Sequence, residues 1–77
     1  MKEEELVYEG FINNKFCFVR KNGQKIAFTK SKRELIEEFK LKATEISKEK
    51  VFLARYFVET TMISDIYILC DLEEISN

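Results

Sequence analysis

The dipeptide Asn22-Gly23 constrains this chain more than any other feature. A two-residue type I′ turn needs φ > 0 at both central positions, and Asn-Gly accepts this most readily. It separates Lys15–Arg20 (KFCFVR) from Gln24–Thr29 (QKIAFT), two runs of strand composition. The middle of the chain is therefore expected to be a β-hairpin. Upstream, Glu5–Ile12 (ELVYEGFI) reads as another strand and Asn13-Asn14 as a second tight turn, giving a three-strand meander.

The meander runs into Ser31-Lys32-Arg33-Glu34, which has the spacing of a capping box. Beyond it Leu35, Phe39, Ala43 and Ile46 recur at helical spacing, with Ile36 widening the stripe. This pattern predicts one amphipathic helix of about four turns, ending near Ser47. Val51–Thr60 (VFLARYFVET) is rich in aromatic and branched residues and reads as a strand, as does the alternating Ile63–Leu72 (ISDIYILCDL). The expected fold is a single α+β domain over residues 1–77: a small antiparallel sheet in the order β-β-β-α-β-β. One helix packs on one face, and the sheet curls toward a barrel if the last hairpin crosses the other.

Two-residue turns fix the cross-strand register, because a strand's side chains alternate between faces. On that register Leu6, Tyr8, Gly10, Ile12, Cys17, Val19, Ile26 and Phe28 share the face that meets the helix. Val7, Glu9, Phe11, Phe16, Phe18, Arg20, Lys25 and Ala27 share the other. Three phenylalanines on the open face of an antiparallel sheet need a cover. The last hairpin, a second copy of the chain, or a protein or nucleic-acid partner could each supply it.

Charge sharpens the question. The chain has a formal net charge of −1, yet residues 10–33 hold seven bases and no acid. Residues 57–77 hold five acids and no base. A patch rather than the total determines which partner is attracted. The candidate contact set is therefore Phe11, Phe16, Phe18, Arg20, Lys21, Lys25, Lys30, Lys32 and Arg33. Rings interleaved with bases suit base stacking and phosphate neutralisation. The plain alternative is a solvated basic edge that guards against strand-to-strand aggregation. The acidic C-terminal segment has its own pair of readings, imitation of nucleic-acid charge or a solubilising end.

Catalysis finds little support. The chain has no histidine, the commonest general base. Its two glycines, Gly10 and Gly23, are too far apart for a phosphate-binding loop. Asp65 and Asp71, six residues apart on one strand, would sit about 20 Å apart. Cys17 and Cys70 read as buried thiols, and no CxxC spacing marks a metal site. No cofactor is expected. No apolar run is long enough for a signal peptide or membrane span, so a soluble cytoplasmic protein is expected.

The sequence thus points to a non-catalytic binding domain, with protein contact or a homodimer favoured over direct nucleic-acid binding. Compact chains of this size without catalytic groups are typical of accessory factors from phages and mobile elements. Some of these, anti-CRISPR proteins among them, inhibit host defence complexes that handle nucleic acid. That analogy rests on size and chemistry and on no motif.

Overall fold

The computed structural model describes residues 1–75, except for the side chain of Thr44. Six strands and two short helices follow in the order β1 (Lys2–Ile12), β2 (Lys15–Arg20), β3 (Lys25–Phe28), β4 (Lys30–Ser31), α1 (Arg33–Glu38), α2 (Thr44–Ser47), β5 (Val51–Thr60) and β6 (Asp65–Glu74). They form one sheet of order β3-β2-β1-β5-β6-β4, antiparallel except for the β4–β6 pair. The strands β3 and β4 lie at opposite edges, yet only Thr29 separates them in sequence. The sheet must curl to bring its edges near one another, and the Thr29 N–H donates to the Tyr67 carbonyl at 3.2 Å. The sheet nonetheless remains open and does not close into a barrel.

The Asn13-Asn14 turn forms as expected, with φ of 52° and 61° and Phe11 opposite Phe16. The register on either side of it does not, for two reasons. First, β1 carries a bulge between Tyr8 and Gly10, where Gly10 adopts φ 145°. A bulge inserts one residue and so exchanges the two sides of the strand beyond it. Second, the Asn22-Gly23 corner is a longer loop than two residues. Arg20 N–H bonds to the Gln24 carbonyl at 2.8 Å and Gly23 N–H to the Arg20 carbonyl at 2.9 Å, with Gly23 at φ 88°. Three residues, Lys21 to Gly23, therefore span the turn, and Phe18 faces Ile26 where a two-residue turn would have placed Val19.

Each device shifts pairing by one position, which moves side chains to the other face. Together they merge the two expected sets. Leu6, Tyr8, Phe16, Phe18, Ile26 and Phe28 are all buried on the concave side, joined by Phe52, Ala54, Tyr56, Leu69 and Leu72 from β5 and β6. Phe18 is the hub: its ring lies 4.8 Å from Tyr8, 5.4 Å from Phe28 and 6.3 Å from Phe52. Cys17 and Val19, expected in the core, point the other way and are half-buried, and Ile12 is exposed. The cover for the aromatic face is thus the same sheet, extended through β5 and β6 and curled back on itself.

The long helix is replaced by two short ones. Lys40 takes φ 53°, ending α1, and Leu41 then turns inward to complete burial. A continuous helix would have pointed Leu41 away from the Leu35–Phe39 stripe. Burying a leucine contributes about 1.5–3 kcal/mol, which offsets the roughly 1–2 kcal/mol that a left-handed residue costs. Ser47, fully buried, places its hydroxyl against the Phe39 and Lys40 carbonyls that the break exposes, at 3.1 Å from the latter. Ala43 and Ile46, expected on the buried stripe, are exposed. The capping box does not form either: Lys32 is the N-cap, without a side-chain bond, and the Ser31 hydroxyl donates to the Lys32 carbonyl. Leu35 is buried, and Phe39 sets its ring 5.2 Å from Phe52.

Candidate functional site

The residues singled out by sequence divide into three groups. Phe16 and Phe18 are only 4% and 0% exposed, so neither offers a ring to a partner. This corrects the expectation of an open aromatic face, and the cause is the bulge and the three-residue turn. Phe11 follows the same bulge inward but lies at the rim, half-buried against Phe16 with ring centroids 4.8 Å apart.

Arg20, Lys21 and Lys25 form the second group, and the chain answers their charge itself. Register with β1 brings Arg20 to Glu4 at 2.9 Å, Lys21 to Glu5 at 3.2 Å and Lys25 to Glu9 at 3.6 Å. The acidic N-terminal strand thus lies alongside the basic hairpin. Arg20 is the most enclosed of the three, its Nε meeting Glu4 off the N–H axis, as an ion pair more than a hydrogen bond. Glu4 also accepts from the Tyr56 hydroxyl at 2.8 Å. Interaction with Tyr56 and the Glu4 charge raises the Arg20 pKa, while burial and the Glu4 bond raise that of Tyr56. The cluster closes one end of the interior. An equivalent network on β5 joins Arg55 to Glu3 at 2.7 Å and Asp71 at 2.8 Å.

Lys30, Lys32 and Arg33 are the third group. Arg33 pairs with Glu37 at 3.1 Å one helical turn on. Lys30 and Lys32 have no ion-pair partner among the described residues. Lys30 lines a groove of about 480 Å³ between the β1–β2 turn and α1. Phe11, Phe16 and Ile36 form its apolar floor, and Asn14, Thr29 and Lys42 join Lys30 at its rim. The Lys42 ammonium stands 5.3 Å over the Phe11 ring.

A surface that the sequence reading did not single out lies at the outer end of the β5–β6 hairpin. The β1–β5 ladder ends at Lys2 opposite Tyr56, so Phe57–Thr60 continues past it. At the turn Met62 and Ile63 are fully exposed, at 105% and 96%. Their backbone is nevertheless held. The Thr61 hydroxyl accepts from the Ile63 and Ser64 N–H groups at 3.2 and 3.0 Å and donates to the Ser64 carbonyl at 2.6 Å. Phe57, half-exposed, stands opposite Ile68 on the outward side, with Ile66 one outward pair nearer the turn. Glu59 and Asp65 flank this strip without an ion pair among the described residues. The signal that could have revealed it is the turn itself, where two large apolar residues sit among hydroxyl residues (Thr60-Thr61-Met62-Ile63-Ser64).

Neither cysteine is buried as expected; both are half-exposed free thiols. Among the described residues no group of three or more His, Cys, Asp or Glu side chains could hold a metal ion. No helix among the described residues is long and apolar enough to cross a membrane. Comparison with protein-family models, curated proteins and solved structures returns no match.

Proposed function

We propose that this chain is a non-catalytic binding domain that contacts another protein through the outer end of the β5–β6 hairpin. The observation that carries the reading is the full exposure of Met62 and Ile63 on a turn tied by the Thr61 hydroxyl. A fixed backbone lowers the ordering cost of docking, and each apolar side chain buried would contribute about 1.5–3 kcal/mol. Phe57 supplies an aromatic anchor of the kind that dominates interface energetics.

The flanking charge defines the partner. Glu59 and Asp65 accompany the apolar strip, and no base occurs between residues 57 and 77. The complement is an apolar cleft rimmed by Lys and Arg. The same charge argues against a homodimer through this surface, since two hairpin ends would bring like carboxylates together. Basic clefts are common on proteins that handle nucleic acid. We therefore extend the proposal to occlusion of such a cleft, the role of a small phage or mobile-element inhibitor.

The test is reconstitution with a purified partner. Met62→Asp with Ile63→Asp should weaken the complex at least roughly 100-fold, the loss of two anchors, and leave the thermal midpoint unchanged. Undiminished affinity in that double variant would refute the assignment of this surface.

A further inference from the structure

We infer that the groove between the β1–β2 turn and α1 binds one nucleotide of a single-stranded nucleic acid. The inference stands on a different surface from the hairpin end and does not depend on it. Its floor is apolar, with the Phe11 ring and Ile36, and its rim carries Lys30 and Lys42 with no acid among the lining residues. Asn14 adds a carboxamide, a donor and an acceptor on one group.

These parts match the parts of a nucleotide. A base lies on Phe11 in the place where the Lys42 ammonium now stands, 5.3 Å over the ring. The displaced ammonium and that of Lys30 then reach the phosphate. Asn14 and the Thr29 hydroxyl meet the polar edges of base and sugar. Simpler ligands fit less well. A bare phosphate would leave the floor wet, and a hydrocarbon chain would desolvate two cations, an amide and a hydroxyl without replacing their bonds to water.

Charge beyond the groove favours a strand over a free nucleotide. Lys15 follows Asn14 in the chain; it is exposed and has no ion pair among the described residues, whereas Lys32 lines a separate pocket with Glu34, Glu38 and Asp71. A further phosphate would lie within reach of Lys15. The Lys21 and Lys25 ammonium groups on the neighbouring hairpin are already paired to Glu5 and Glu9.

The experiment is an amide-shift titration of the full chain with four probes: inorganic phosphate, nucleoside monophosphates, and short mixed-sequence single-stranded DNA and RNA. The oligonucleotides should move the Asn14, Thr29, Lys30 and Lys42 amides saturably and more tightly than any mononucleotide. The slope of log K against log salt should fall between about −1.4 and −2.1, for two to three phosphates neutralised. Lys30→Glu with Lys42→Glu should weaken binding and make the slope shallower by about 1.4. Phe11→Leu should weaken it roughly 5- to 150-fold through lost stacking, and Lys48→Glu, outside the groove, should change nothing. Equal shifts from phosphate alone, equal affinity for a mononucleotide, an equal loss in Lys48→Glu, or no saturable shift would each overturn the inference.

Discussion

Phe18→Ala separates a structural ring from a partner-facing one. Phe18 is fully buried and touches three other rings, at 4.8, 5.4 and 6.3 Å. Truncating a buried phenylalanine removes its transfer free energy and leaves a cavity, at a cost of about 3–5 kcal/mol. For a chain of 77 residues, total stability is roughly 4–12 kcal/mol. One substitution thus consumes about a quarter or more of the margin and lowers the thermal midpoint by roughly 12–40 °C. The assay is urea unfolding followed by far-UV circular dichroism, beside Met62→Ala, whose fully exposed side chain should cost less than about 0.5 kcal/mol. Equal midpoints for the two variants would show that Phe18 does not hold the core together, and the register described above would be wrong.

Four further outcomes follow from particular residues. Tyr8 donates to the Leu41 carbonyl at 2.6 Å, and Tyr8→Phe, which orphans that carbonyl, should cost about 1–3 kcal/mol in urea unfolding. Burial raises the Tyr8 phenol above its ordinary pKa, so the folded state keeps a proton that the unfolded chain loses above about pH 10. Stability should therefore be full below that pH and fall as pH rises toward the folded value; midpoints between pH 8 and 11 should show this, with a smaller decline in Tyr8→Phe. Gly23 holds φ 88° with nothing within 4 Å of the point where a methyl group would sit, so Gly23→Ala meets a backbone penalty alone, about 1 kcal/mol in the same assay. Arg55→Gln removes the fork to Glu3 and Asp71 and should lower the urea midpoint slightly in dilute buffer and not at all in 1 M salt, because the pairs lie at the surface.

Much of the strand content was legible because it depends on local pattern. Val51–Thr60 matches β5 residue for residue, and the Asn13-Asn14 turn forms with both residues at positive φ. What escaped was register. Asn22-Gly23 marks a turn in either case, but whether two or three residues span it depends on which side chains the completed sheet buries. The bulge before Gly10 has the same origin: it swings Phe11 inward to meet Phe16. The helix was drawn too long because Leu41 lies outside the periodic stripe, and its burial against the sheet outweighs continued helical bonding. The contact set was misjudged for a related reason. Charge segregation along the chain looked like an unmatched basic patch, while antiparallel pairing of β1 with β2 lays Glu4, Glu5 and Glu9 beside those bases.

The central functional claim is that the hairpin end meets a protein, and site-specific photocrosslinking tests it most directly. A benzophenone side chain placed at Ile63 should yield a discrete protein adduct in native cell extract, as should the purified partner once identified. Unlabelled wild-type chain should compete the adduct away, and the Met62→Asp, Ile63→Asp chain should not. The same probe at Lys25, on the ion-paired hairpin, should yield no such adduct. An equal adduct from Lys25, competition by the double variant, or nucleic acid as the only species captured at Ile63 would contradict the account.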